Sequence, residues 1–217
     1  MIAPADEREC LAAFYLRMRA RGIENRPLVA AVEAVPRRNF VPAQWRDVAW
    51  SDRMIPIECG EVIEGIDLQA AIIHALQIEP GHRVLEVGTG SGYTAALMSK
   101  LATRVTTVDR YKTLTELAHH RLQALDIDNA LVRQADASNG MPGEGPFDRI
   151  VCWAAFDGMP RPFVDLLSSN GVMIAPIGPG EGEQTLARLT KVGSRFDRQD
   201  IGAVRLQPLT PGVAAAI

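Results

Sequence analysis

From Arg83 onward, apolar residues come in short runs separated by stretches with helical spacing. Runs near 83–88, 104–109, 130–134, 148–153 and 171–176 read as strands, and segments near 92–102, 112–125 and 160–168 read as helices between them. Strands alternating with helices in this way predict a parallel sheet covered on both faces. Beyond the flexible turn Gly178-Pro179-Gly180-Glu181-Gly182, Thr185–Val192 and Ile201–Leu206 read as an antiparallel pair at the sheet edge. The expected fold is α/β, a doubly wound, mostly parallel, seven-stranded Rossmann-like sheet.

The pattern ahead of Arg83 is different. Leu11, Phe14, Tyr15 and Met18 fall at i, i+3, i+4 and i+7, an amphipathic helix from Glu7 to Arg21 closed by Gly22. A second helix starts near Pro27 with Leu28, Val29 and Val32 inward. Two prolines in Val35-Pro36-Arg37-Arg38-Asn39-Phe40-Val41-Pro42 forbid regular structure, and short extended pieces follow through Ile57. Asp67 is placed to cap a helix carrying Leu68, Ile72 and Leu76. This predicts a helical and loop appendage over residues 1–78 and a sheet domain over 79–217.

Composition narrows the class. The 217 residues suffice for one α/β domain with an appendage, and 47% hydrophobic with 23% charged residues is ordinary for a globular protein. A net charge of −3 leaves no basic footprint, which argues against broad nucleic-acid binding. No run of eighteen apolar residues exists and the start Met1–Glu7 lacks a signal-peptide pattern, so no membrane association and a cytoplasmic location are expected. Cys10, Cys59 and Cys152 are scattered, and His119 and His120 are adjacent rather than at i, i+4, so neither disulfides nor a metal are expected.

The chemistry centres on Val84-Leu85-Glu86-Val87-Gly88-Thr89-Gly90-Ser91-Gly92-Tyr93. An apolar run, a glycine turn and a helix form the first βα unit of a doubly wound sheet, with a nucleoside as the natural occupant. The third glycine comes one residue earlier than in the dinucleotide fingerprint G-x-G-x-x-G, and a carboxylate, Glu86, stands at the strand end. The stretch resembles motif I of the S-adenosylmethionine (SAM) methyltransferases. SAM has no phosphate but carries two cationic groups, which an acidic strand end suits. Asp109, closing the next apolar run, is placed to accept from ribose hydroxyls. Ser91 and Tyr93 are expected to seat the SAM carboxylate at the helix start. Asp136 and Ala137, after a later strand, are expected at the adenine, with a strand-end Asp capping a turn as the alternative. The plainer alternative for the whole stretch is a glycine-rich turn with solvated Glu86 and Asp109.

Longer segments resemble one family, the protein-L-isoaspartate O-methyltransferases. Val35-Pro36-Arg37 with Phe40-Val41-Pro42, Ala49-Trp50, Asp52 and Pro56-Ile57 is similar to its N-terminal signature. Gly88 to Tyr93 is similar to its motif I, and Asp136, Gly140 and Pro146-Phe147-Asp148 to its D-G-x-x-G and P-F-D pair. Asn170-Gly171, Ala175-Pro176-Ile177-Gly178 and Gln184 resemble its motif III, and Val204-Arg205 with Pro208-Leu209 its C-terminal V-R-F-V-P-L. The resemblance implies SAM as cofactor and methylation of the free α-carboxylate of isoaspartyl residues in a protein or peptide partner, with the appendage building the substrate side. A carboxylate is already an ionised nucleophile at neutral pH, so no general base is required.

The substrate loop departs from the family. Its P-I-G-x-G-x-T-I-S-x-P-x-M is here Pro56-Ile57-Glu58-Cys59-Gly60-Glu61-Val62-Ile63-Glu64-Gly65-Ile66-Asp67-Leu68. The family Ser, which meets the reacting carboxylate, is Glu64, and the Thr and Pro are Val62 and Ile66. An ionised Glu64 about 4 Å from an anionic acceptor would cost on the order of 4 kcal/mol, roughly a thousandfold in rate. The family T-A-A-P is Trp153-Ala154-Ala155-Phe156, and the V of V-R-F-V-P-L is Gln207. Ile63, Glu64, Trp153, Arg205 and Gln207 are thus the substrate-side candidates. Three readings follow for Glu64: it faces solvent while Arg205 or another cation holds the acceptor; it is a general base for a neutral acceptor; or the chain binds SAM without catalysis.

Overall fold

The computed structural model describes residues 7–214. Residues 1–6, and with them most of the segment read for a signal peptide, lie outside that range. The appendage contains α1 (Glu7–Ala20) and α2 (Arg26–Ala34), the two-stranded ribbon of β1 (Ile55–Pro56) and β2 (Val62–Ile63), and α3 (Ile66–Leu76). The sheet follows as β3 (Arg83–Val87), β4 (Arg104–Asp109), β5 (Ala130–Gln134), β6 (Phe147–Cys152), β7 (Leu167–Ile177), β8 (Gln184–Val192) and β9 (Arg195–Val204). Helices α4 (Tyr93–Ser99) and α5 (Lys112–Gln123) connect its first strands.

The strand order is β5-β4-β3-β6-β7-β8-β9. Strands β3 to β7 pair in parallel, and β8 and β9 add antiparallel edges. The chain winds outward from β3 through β4 to β5, then restarts on the other side of β3 with β6. That reversal leaves a crevice at the carboxyl end of β3, where doubly wound sheets bind ligands.

Side chains alternate across the sheet. Val84, Val105 and Val151 enter one core with α2, α3 and α4, while Leu85, Val108, Ile150 and Cys152 enter the core on the other face. The same parity puts Glu86, Thr107, Asp109 and Trp153 on the α4 face. Every residue of α4 is buried, because it is sandwiched between the sheet and the appendage helices. The appendage therefore shares a core with the sheet, through Phe14, Val32, Phe40 and Ile73 packed with Tyr93 and Leu97.

Three local expectations are corrected. The segment 160–168 forms only a 3-10 turn at Arg161–Phe163, because Pro160 and Pro162 interrupt it and β7 already starts at Leu167. Strand β9 starts at Arg195 rather than Ile201, directly after a tight Gly193-Ser194 turn with Gly193 at φ +62°. Asp67 does not cap α3: Gly65 stands at that position, and Asp67, fully buried, takes Arg17 at 2.8 Å instead.

Candidate active site

After Val87 the chain turns over the end of β3 through Gly88, Thr89, Gly90 and Ser91. Gly88 N and Thr89 N donate to Val108 O at 2.8 and 3.1 Å, and Gly92 N donates to Thr89 O at 2.9 Å. Gly90 N donates to Asp109 Oδ2 at 3.0 Å. A phosphate-binding loop leaves its N–H groups for the ligand. This loop spends those of Gly88, Thr89, Gly90 and Gly92 on β4 and on itself. Ser91 also lines the cavity, and its Oγ is buried and has no hydrogen-bond partner. Arg121 of α5 steadies the turn, donating to Ser91 O at 3.0 Å.

The cavity, about 930 Å³ with the solvent-open space at its mouth included, lies between the glycine loop, the β1–β2 ribbon, the end of β4 and the C-terminal segment. Glycine is required where these walls converge. A Cβ on Gly88 would stand 3.2 Å from Trp153 Cβ, and one on Gly90 3.3 Å from Ile63 Cγ2; both glycines have positive φ, +94° and +50°.

Of the residues singled out in the sequence, Ile63, Glu64, Gly88, Thr89, Gly90, Ser91, Asp109, Asp136, Ala137, Trp153 and Gln207 line this cavity. Asp109 accepts from Gly90 N through Oδ2 and from Tyr111 N through Oδ1 at 3.1 Å, leaving a lone pair on each oxygen for a diol. Burial pushes its carboxyl up from the usual range. Asp136 accepts from Ser138 N and Gly212 N at 2.8 Å each; the Ser138 bonds in particular hold its carboxyl low.

Four expectations are corrected here. Glu86 is fully buried beneath the loop rather than facing the ligand. It accepts from Thr94 Oγ1, from Trp153 Nε1 at 2.8 Å and from Thr107 Oγ1 at 2.7 Å. Burial pushes its carboxyl up to about 7 against those three donors. Thr107 gives its proton to Glu86, so at their 2.7 Å contact Thr89 Oγ1 is the donor. Tyr93 lies in the core, its ring edge-on to Phe40 and 4.5 Å under the Arg37 guanidinium. Gly92 packs on α5, where a Cβ would meet Ala118 Cβ at 2.9 Å. Arg205 is exposed outside the cavity, because the chain leaving β9 buries Val204 and Leu206 on one side and turns the residue between them outward.

The structure adds residues that the sequence did not single out. Glu61, Gln69, Arg110, Tyr111 and the segment Pro208–Thr210 also line the cavity. Burial pushes the Glu61 carboxyl up, with Tyr111 and Gln207 opposing the shift. The C-terminal segment is strapped down: Leu209 N donates to Ala155 O at 2.8 Å, and Arg110 Nε donates to Gly212 O at 3.0 Å. Arg110 and Tyr111 directly follow Asp109, which is the one sequence signal that could have found them.

Glu64 faces this cavity with only 9% exposure. Beneath it, the fully buried Arg37 donates to Ala49 O and Glu64 O at 2.7 Å each and to Gln69 Oε1. The guanidinium cannot accept, so Gln69 must turn its oxygen to it, leaving the NH2 end for the cavity. The Glu64 carboxyl itself has no hydrogen bond or ion pair among the described residues. Burial pushes it up to about 7, with Arg37 opposing and Asp52 adding to the shift.

These residues fit the group the glycine motif implies. SAM has no phosphate to need the loop N–H groups, its carboxylate suits the open Ser91 hydroxyl, its ribose suits Asp109, and its cationic centres suit acidic walls.

The fold and cavity define a doubly wound α/β protein with a nucleoside-sized site at the topological switch point. A family model described as Protein-L-isoaspartate(D-aspartate) O-methyltransferase matches residues 12–214. The protein-L-isoaspartate O-methyltransferase of Rhizobium meliloti (strain 1021) is 48% identical over 200 residues, 92% of this chain and 98% of the relative. Protein-L-isoaspartate O-methyltransferase 2 of Rhodopseudomonas palustris (strain HaA2) is 44% identical over 213 residues, 98% of this chain and 97% of the relative. A crystal structure of a Plasmodium falciparum protein described as a putative protein-L-isoaspartate O-methyltransferase, in complex with S-adenosyl-L-homocysteine, shares the fold. Its TM-score is 0.79 at 24% identity, with 95% of this chain and 99% of that one covered. This chain belongs to the protein-L-isoaspartate O-methyltransferase family. Among the described residues no helix is long and apolar enough to cross a membrane.

Proposed function

We propose that this chain methylates the free α-carboxylate of isoaspartyl residues in proteins or peptides, using SAM and working in the cytoplasm. The observation that carries the reading is a glycine loop that spends most of its N–H groups on β4 and on itself and places Ser91, whose buried Oγ has no hydrogen-bond partner, on the wall of a cavity also lined by Asp109 and Glu61. Ser91 would hold the carboxylate of SAM, Asp109 its ribose hydroxyls, and Asp136 with Ala137 its adenine end. When bound, SAM supplies a methyl group on a sulfonium, and the C–S electron pair returns to sulfur as the methyl bonds to an acceptor oxygen.

The chain's own part is to bind, align and exclude water. Ile63, Leu114 and Trp153 supply apolar wall, and Glu61, Tyr111 and Gln207 line the same cavity. No side chain has to remove a proton, because the acceptor arrives ionised. We assign the acceptor side to the appendage, residues 1–78, through Ile63, Glu64 and Gln69.

The test is SAM titration by calorimetry, followed by labelled methyl transfer to an isoaspartyl peptide and to its normal aspartyl twin. The expected result is saturable SAM binding and transfer selective for the isoaspartyl peptide. SAM binding without such transfer would defeat the assigned substrate, and absent SAM binding would defeat the whole reading.

A further inference from the structure

The cavity is short of positive charge. Glu61, Glu64, Asp109 and Asp136 line it against one guanidinium, that of Arg110. Acidic walls suit a cationic methyl donor and oppose a carboxylate acceptor. Glu64 is the acid on the wall that we assign to the acceptor, next to Ile63, which touches the glycine loop at Gly90. Its carboxyl is buried and takes no hydrogen bond, and the nearby cation is directed elsewhere: Arg37 donates from each of its three nitrogens, to Ala49 O, Gln69 Oε1 and Glu64's own backbone carbonyl.

We propose that Glu64 acts as a neutral carboxylic acid whose O–H donates to the acceptor carboxylate, so that this chain recognises its anionic substrate through a proton held on an acid. The proposal rests on the isoaspartyl reading above and adds how this site tolerates a glutamate at that point. An ionised Glu64 offers only lone pairs to an anion; the protonated form offers one donor and removes the repulsion. The NH2 group of Gln69, turned to the cavity by Arg37, gives the same wall a second donor. The proton stays on Glu64 throughout methyl transfer: one acceptor oxygen keeps the hydrogen bond while the other takes the methyl.

The electrostatic surroundings agree. Burial alone favours the neutral form, and Asp52 in the loop ahead of β1 favours it further. Arg37, on the 3-10 turn Arg37–Phe40, opposes them, and the balance lies at about 7. Glu61, Asp109 and Asp136 line the same cavity, and an arriving carboxylate adds a negative charge in favour of the proton. Activity is therefore expected on the acidic side of that value and is lost above it, the reverse of a general base.

The experiment measures methyl transfer from saturating SAM to an isoaspartyl peptide between pH 5.5 and 9, in the full chain and in Glu64→Gln. For the unaltered chain, kcat/KM should be level at low pH and fall about tenfold per pH unit above about 7. In Glu64→Gln, whose amide is a permanent donor, the fall should disappear, so that the two profiles cross and the variant is at least tenfold faster at pH 9. Calorimetry with SAM confirms that the variant is folded. A profile that rises with pH, or a variant that binds SAM but is inactive at every pH, would make Glu64 a base and overturn the proposal. A fall retained in Glu64→Gln would assign it to another group, such as Glu86, and overturn it equally. No isoaspartyl transfer by the unaltered chain at any pH would defeat the function itself, an outcome distinct from the others.

Discussion

Trp153 Nε1 donates to Glu86 Oε1 at 2.8 Å, so the wall of the cavity is hung from a fully buried acid that does not itself line it. Both side chains lie on the α4 face, and Glu86 also gathers Thr94 and Thr107. The strand-end acid is thus a hub that fixes the indole, the loop through Thr107 and Thr89, and the start of α4.

That hub gives a stability signature. Glu86 has a folded value of about 7, above the ordinary 4.5 for a glutamate. The folded state therefore holds the proton more tightly, and the associated stability is complete below about 4.5 and lost as pH rises through about 7. Glu86→Gln removes that loss while its amide oxygen still accepts from Trp153 and Thr94. Measured by chemical denaturation, the stability of the variant relative to the unaltered chain should increase between pH 5 and 8.5, by an amount on the order of 3 kcal/mol at most. A difference that does not change with pH would mean that Glu86 stays ionised.

Ser91→Ala separates binding from folding. Its hydroxyl has no partner in the fold, so removing it should leave thermal stability unchanged. SAM binding should weaken about 10- to 150-fold, the worth of one lost hydrogen bond to a charged group. Unchanged affinity by calorimetry would remove Ser91 from the cofactor site.

Gly65 sets the loop that carries Glu64. A Cβ there would stand 2.4 Å from the backbone carbon of Asp52, a contact that only a backbone shift can relieve. Gly65→Ala should cost about 3 kcal/mol or more of stability and displace Glu64. Gly60→Ala is the control, because it meets open space and is penalised only by its φ of +74°, about 1 kcal/mol. Equal costs in denaturant melts would show that the loop yields at Gly65.

What the sequence revealed follows from where each signal resides. The central strands and the glycine turn were legible because runs of apolar residues and glycine spacing are local properties. The orientation of Glu86 was not, since β3 is buried on both faces and its alternation carries no contrast. Its donors also come from three other elements. Strand β9 was read late because residues 195–203 are mostly exposed and polar, as suits an edge strand. Arg37 was legible as part of a family signature, but its task is three-dimensional. It ties Ala49 and Glu64, which stand on either side of the ribbon, to Gln69 on α3.

The C-terminal strap closes one side of the cavity over the end we assign to the adenine. Gly212 N donates to Asp136 Oδ2 at 2.8 Å, Arg110 Nε to Gly212 O at 3.0 Å, and Ala214 N to Arg110 O at 3.1 Å. A chain ending at Pro211 loses all three while keeping Pro208–Thr210 on the cavity wall and the sheet core intact. Because these bonds hold a cover rather than the core, melting temperature should change little. Release of SAM should quicken about tenfold, equivalent to about 1.4 kcal/mol, with association much less affected, as is usual for changes within one site. Stopped-flow release of SAM measures this directly. An unchanged dissociation rate would mean that the ligand leaves past the Glu61–Tyr111 side of the mouth instead.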